Sequence, residues 1–189
     1  MIKIENLCFA YGEKQIFRNF SLSIPAGSRI CLSGESGLGK TTLLRLISGL
    51  EIPQSGSMAL PENTRFSAVF QEDRLLPFLS ILDNCLLVGG NKKTAVKHLE
   101  ALNIGGVSGS KPAALSGGMR RRAAIARALC ADFDILLLDE PFTGLDAENV
   151  SAAARYISEQ LSGRTLIMVS HSPAEAELLG AKEIKISDC

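Results

Sequence analysis

The chain opens on alternation. In "IKIENLCF", Ile2, Ile4, Leu7 and Phe9 are apolar around Lys3, Glu5 and Asn6, with one slip in phase; "QIFRNFSLSIP" repeats the period with Phe20, Leu22 and Ile24. A period of two marks a strand with one buried face, so two half-buried strands are predicted. Pro25-Ala26-Gly27 makes a turn, and "SRICLSG" is a third short strand. The period then changes: Leu43, Leu44, Leu46, Ile47 and Leu50 of "KTTLLRLISGL" fall at helical spacing. "SGSMAL" and "RFSAVF" read as strands, residues 81–102 as mostly helical, 103–110 as a Gly/Ser-rich loop, and 117–130 as a helix. "DILLLDE" is nearly all apolar, the mark of a parallel strand covered on both faces. A helix follows with Val150, Ala153, Ala154, Ile157 and Leu161 on one side; then come the buried strand "RTLIMVS", the short helix "PAEAELLG" and the closing strand "KEIKIS". Alternating strands and helices predict an α/β fold with a largely parallel core sheet and an antiparallel N-terminal edge, in one domain over residues 1–189 with no internal repeat.

Composition narrows the function. Lys+Arg and Asp+Glu number 20 each, whereas a dedicated nucleic-acid binder carries a basic bias; no nucleic-acid partner is expected. The cysteines, Cys8, Cys31, Cys85, Cys130 and Cys189, are odd in number and form no C-x-x-C pair, which argues against a disulfide framework or zinc site and for a reducing cytosol. Cys31 sits in an apolar run, where burial is the default. No apolar run reaches the about 18 residues of a membrane span, and the N-terminus alternates instead of forming a signal-peptide core. The chain is expected to be soluble and to meet a membrane only through a partner.

The chemistry begins at "SGESGLGKTT", which follows the third strand and opens the first helix. It fits G-x-x-x-x-G-K-[ST] with Gly34, Gly39, Lys40 and Thr41. The glycines let backbone N–H groups converge on phosphate oxygens, and the helix N-terminus adds its dipole. Lys40 is expected to bridge the β- and γ-phosphates, and the Thr41 hydroxyl to bind Mg²⁺. The whole stretch, Gly34, Glu35, Ser36, Gly37, Leu38, Gly39, Lys40, Thr41 and Thr42, is the expected nucleotide loop. A second signal is "ILLLDE", an apolar strand that ends in two acids. Ligands of open α/β sheets lie beyond such strand ends. Asp139 is therefore a candidate for the metal shell, and Glu140 for orienting and deprotonating water. Solvated loop carboxylates are the plainer reading of the same pair.

The third signal is "LSGGMRRRAAIARAL". Ser116 suits an N-cap, and Gly117 and Gly118 leave the first helical turn bare, a second anion-binding helix end. Arg120, Arg121 and Arg122 fan round the helix at 100° per residue, which argues against one flat basic face.

Taken in order, "GESGLGKTT", "LSGG" with "RRRAAIARAL", "ILLLDEP" and "VSH" make the chain resemble the ATP-binding cassette (ABC) ATPases over essentially its whole length. The resemblance implies a P-loop NTPase fold of ABC type, with an antiparallel N-terminal β subdomain and a helical subdomain at about 72–130. It also implies that the LSGG of one subunit (Ser116, Gly117, Gly118) caps the γ-phosphate held by another, in a head-to-tail homodimer around two Mg·ATP. Carried over singly, Tyr11 matches the aromatic residue stacked on adenine, and Gln71 the glutamine touching Mg²⁺ and the attacking water. Asp146 matches the aspartate linking the two sites, and His171 the histidine at the γ-phosphate. The plainer readings are a turn residue for Tyr11, for which stacking is favoured, a surface amide for Gln71, and an N-cap for Asp146, which can serve both roles. His98, in a polar helical stretch, is assigned no role. The arginines are expected to serve solubility and local ion pairs.

The implied output is transport powered by ATP hydrolysis through a separate integral membrane permease, with a solute-binding protein reached through that permease, at the inner face of the cell membrane. Apolar Leu75, Leu76, Phe78 and Leu79 could line a groove for a permease helix or simply fill core. "QEDRLLPFLSILDN" also resembles importer ATPases for nitrate, sulfonate or taurine. The alternative is a non-transport ABC ATPase of an assembly or scaffold complex. Coiled-coil insertions or paired cassettes, which would mark repair or translation proteins, are not visible. Two features depart from the family: Met119 stands where the signature usually has Gln, and the chain is short, trimmed between Gln71 and Leu115, with no regulatory domain expected after Cys189.

Overall fold

The computed structural model describes residues 1–186; Cys189 and the last residue of the predicted strand "KEIKIS" lie outside that range. Two sheets organise it. The first is antiparallel, with β1 (Ile2–Tyr11) between β2 (Lys14–Ile24) and β4 (Ser55–Ala59). The second is parallel, in the order β5 (Phe66–Val69), β6 (Ile135–Asp139), β7 (Thr165–Val169), β3 (Arg29–Ser33) and β8 (Lys182–Lys185). The N-terminal strands are thus a separate sheet, where the alternation alone had suggested an edge of the core sheet.

The slip of phase in β1 has a local cause. Pairing with β2 shifts register between Ile4 and Leu7, and Asn6 takes a left-handed φ of 50°. Asn tolerates this conformation better than most residues, and such a bulge returns the next apolar side chain to the buried face.

Two cores follow from the period of the strands. Ile135 and Leu137 of β6 point to a core with α1 (Lys40–Ile47) and the antiparallel sheet. Leu136 and Leu138 point to the opposite face, against α2 (Ile81–Leu86), α3 (Lys92–Ala101), α4 (Gly117–Cys130), α5 (Ala147–Leu161) and α6 (Pro173–Leu178). A strand buried on both faces must be apolar at every position, which explains the unbroken "ILLL".

The helix expected over 81–102 is two helices. Gly89, at φ 98°, and Gly90 break it, and a Cβ on Gly90 would lie 2.9 Å from the Cys130 Cβ. Asn91 then caps α3, its side chain accepting from the Thr94 N–H. Cys8, Cys31, Cys85 and Cys130 are free thiols. Among the described residues no helix is long and apolar enough to cross a membrane.

Candidate functional site

All the parallel strands deliver their carboxyl ends to one rim, where four of them supply site residues. β3 runs into the glycine loop and α1; β5 leads to Gln71; β6 ends in Asp139; His171 lies two residues past the end of β7. The loop needs its glycines. Gly34 sits at φ 137°, and a Cβ there would lie 2.5 Å from the Ile186 carbonyl oxygen. Gly39 sits at φ 85°, and a Cβ there would collide with the Ile16 side chain. α1 starts with no side-chain cap, so its first N–H groups face the loop. Lys40 is buried there, and its Nζ donates to the Gly34 and Glu35 carbonyls at 2.8 Å each.

A cavity of about 310 Å³ gathers Ser36, Gly37, Gly39, Lys40, Thr41 and Thr42 with Tyr11, Gln71, Asp139, Glu140 and His171. Gly34, Glu35 and Leu38 shape the loop without lining the cavity, and Leu38 packs into the core beneath it. A larger cavity of about 420 Å³ lies at the amino-terminal ends of β6 and β7, the end away from which α/β sheets present ligands.

The acids differ in setting. Asp139 is fully buried and neither carboxylate oxygen has a hydrogen-bond partner among the described residues. Burial raises its pKa, against the Thr41 hydroxyl and the charges of Arg121 and Lys40. An orphaned buried carboxylate beside a threonine hydroxyl and the Gln71 amide is an all-oxygen donor set that fits Mg²⁺, a cation that typically takes one or two protein ligands beside phosphate oxygens. Among the described residues there is no cluster of three or more His, Cys, Asp or Glu to hold a metal by protein alone. Glu140 turns out of the strand at φ 51°, and its N–H donates to the Val169 carbonyl at 3.0 Å. Its Oε1 lies 3.3 Å from His171 Nε2. Burial raises the Glu140 pKa, and His171 pulls it back.

The remaining predicted residues lie outside this cavity. Ser116 caps α4, its hydroxyl accepting from the Met119 N–H at 3.3 Å. Gly118 is needed for close packing: a Cβ would lie 2.8 Å from the Gly144 carbonyl oxygen. Gly117 lines a neighbouring cavity of about 390 Å³ with Gln71, Glu140 and Thr143. Asp146 is the N-cap of α5, accepting from the Asn149 backbone and side chain at 2.8–3.0 Å, which holds its carboxyl below its ordinary pKa.

Comparison with known proteins decides the family. The family model "ABC transporter" matches residues 17–143. The aliphatic sulfonates import ATP-binding protein SsuB 1 of Paracoccus denitrificans is 39% identical, over 99% of this chain and 79% of its own. SsuB 3 of Pseudomonas syringae pv. tomato is 38% identical, over 99% and 73%. The dimeric ATP-binding cassette MJ0796 in a post-hydrolysis state with ADP and Pi superposes with a TM-score of 0.88 at 26% identity, covering 100% of this chain and 95% of that one. The chain belongs to the ABC transporter family. It is a single-cassette ABC ATPase subunit that binds ATP.

In this ABC ATPase the expected local ion pairs are present, with Arg120 and Arg121 both facing Asp73, but Arg121 and Arg122 are not a solubility device. Arg121 is 3% exposed and spends its donors on backbone carbonyls of the Gln71 and Glu140 loops. Arg122 donates to the Leu102 and Asn103 carbonyls and to the Asn149 side chain. Arg120 donates to the Leu115 carbonyl. His98, for which the polar stretch suggested no role, is buried, with Nδ1 2.8 Å from the Tyr156 hydroxyl. Its clue was position, one turn before the apolar Leu102 and three residues after Ala95 on the same face. Tyr11 is half exposed; its hydroxyl donates to Glu51 at 3.0 Å, and its ring stands edge-on to Phe9.

Proposed function

We propose that this ATPase hydrolyses Mg·ATP between two copies of itself, and so powers import of an organic sulfonate or similar small anion through a separate membrane-embedded permease. It would act as a peripheral subunit on the cytoplasmic face, one domain over 1–189 with a helical subdomain at about 72–130; a solute-binding protein would deliver cargo to the permease. The observation that carries the hydrolytic part is the convergence of Lys40, Thr41, Gln71, Asp139, Glu140 and His171 on one cavity.

The roles follow from the chemistry of each group. The loop N–H groups and Lys40 hold the β- and γ-phosphates, for which Lys40 would leave its loop carbonyls. Thr41, Gln71 and Asp139 would hold Mg²⁺, which neutralises charge on the phosphate oxygens when bound. Glu140, its carboxyl made more basic by burial, takes a proton from the attacking water that Gln71 orients. His171 faces the γ-phosphate, and Tyr11 offers its ring to adenine. Ser116, Gly117 and Gly118 cap the γ-phosphate of the other copy, and Asp146 lies between the two sites.

Transport is supported by the relatives' names and by exposed apolar residues beyond Gln71. Phe78 is 68% exposed and Leu76 37%, which suits a permease helix, whereas Leu75 packs against the helical core. The test is Glu140→Gln with Mg·ATP. Light scattering should show a stable dimer, since binding persists while turnover stops; persistent monomers would refute the scheme. Copurification with a polytopic membrane protein tests the transport half.

A further inference from the structure

Arg121 sits one turn beyond Gly117 on α4, with 3% of its surface exposed. A buried guanidinium is costly unless its donors are met, and here they are met by two loops at once. Nε donates to the Pro141 carbonyl at 3.2 Å; one terminal nitrogen donates to the Asp139 carbonyl and, at 2.7 Å, to the Glu140 carbonyl. The other terminal nitrogen donates to the Phe70 carbonyl, and lies 3.5 Å from the Gln71 carbonyl and 3.4 Å from the Asp73 carboxylate. Further along the same helix, Arg127 donates to the Asp73 and Arg74 carbonyls, so α4 grips the Gln71 loop twice.

We propose that Arg121 is a positioning residue: it clamps the backbones beside Gln71 and Glu140 to the helix that carries Ser116–Gly118. A shift of α4, when its tip meets ATP held by another copy, is then passed to the water-activating end of its own site. The inference rests on the ATPase roles proposed above. The planar fork is essential to it. A lysine ammonium is a point donor on one stem and cannot span both loops, although it keeps the charge. Glu140 occupies a left-handed conformation that a non-glycine residue holds only when its surroundings impose it. Arg121, bonded to the carbonyls before, at and after it, is such a surrounding.

The experiment compares Arg121→Lys and Arg121→Gln with the parent in steady-state ATPase, alongside direct binding of a trinitrophenyl-ATP probe. Misplacing a catalytic group by about 1 Å can cost a rate factor on the order of 100. We expect kcat to fall by a factor on the order of 10 to 100 in both variants, with probe Kd within about twofold of the parent. A folded variant with parental kcat overturns the proposal. So does a parallel loss of kcat, affinity and melting temperature, which would mark a mere structural staple. If neither variant folds, hydrogen exchange on Glu140→Gln, which retains Arg121, decides. Segments 70–73 and 139–143 should gain protection together when ATP is added, and protection of one alone overturns the proposal. Glu140→Gln also separates the two readings. If it keeps parental turnover, the roles assigned above fail; if it is inactive, the Arg121 results bear on Arg121 alone.

Discussion

Asp139→Asn should make the nucleotide-free protein more stable and the nucleotide-bound protein less so. Asp139 has no exposed surface, and neither carboxylate oxygen finds a partner among the described residues. Burial holds its pKa above the ordinary value. For an acid this means that the folded state keeps a proton which the unfolded chain has released, so stability falls as pH rises from the ordinary carboxylate range through the raised folded-state pKa. An unsatisfied buried polar group costs about 1–3 kcal/mol, more when charged. The Thr41 hydroxyl, which lies close without meeting strict hydrogen-bond geometry, and the charges of Arg121 and Lys40 offset part of that here, so removing the charge should gain about 1–2 kcal/mol. At ~2–4 °C per kcal/mol for a chain of this size, the melting temperature at pH 7.5 rises by ~2–8 °C. The gain shrinks as pH falls and Asp139 protonates in the parent. With Mg·ATP at about 100 times its Kd, the parent gains about 2.7 kcal/mol that the variant does not share, and the order reverses. Differential scanning fluorimetry at two pH values, with and without Mg·ATP, reads all of this. A variant less stable than the parent at neutral pH without nucleotide would show that the buried carboxylate is not a cost held for a ligand, and would refute the reasoning.

Two further outcomes are expected. Tyr11→Ala should weaken ATP binding by about 1–3 kcal/mol, the usual range for one base–aromatic stack, while Tyr11→Phe, which keeps the ring and loses only the Glu51 contact, should lose far less; isothermal titration checks both. Burial lowers the His98 pKa, so the unfolded chain binds the proton more readily and stability is lost as pH falls below about 6.5. His98→Gln should flatten that acid limb in urea titrations, at a cost of about 1 kcal/mol at neutral pH for the altered Tyr156 contact.

Legibility in the sequence tracked how local the causes were. The glycine loop, its lysine and the helix behind it are contiguous, so their geometry could be read from spacing alone. β6 and β7 were legible because burial on both faces leaves no room for polar residues. The break between α2 and α3 was present as Gly89-Gly90, but the helical period of the flanks outweighed it. Arg121 was not legible. Its polarity suggests solvent, and the acceptors that bury it come from Phe70, 51 residues earlier, and Pro141, 20 residues later. His98 was hidden in the same way, since its partner Tyr156 is 58 residues away.

The division of the site has a physical consequence. The P-loop cavity collects the groups proposed to bind phosphate and activate water, whereas Ser116 and Gly118 lie outside its lining. Were all of them to face one cavity, ATP and ADP would both be enclosed by a single chain, and loss of the γ-phosphate would change little beyond local contacts. On the proposed scheme the capping turn serves another copy, the γ-phosphate would be a contact between two molecules, and the open and closed assemblies would differ in affinity for ATP but not for ADP. A ligand shifts a conformational equilibrium only by its differential affinity, and a full switch from about 1:99 to 99:1 needs about 5.5 kcal/mol. Two ATP molecules per dimer, each gripped from both sides as proposed, would halve what each must supply to about 2.7 kcal/mol, within reach of a few charge-assisted hydrogen bonds at about 1.5–3 kcal/mol each. In the first turn of α4 the Ser116 hydroxyl already meets the Met119 N–H, so such bonds would come from the N–H groups of Gly117 and Gly118 and from the Ser116 hydroxyl itself.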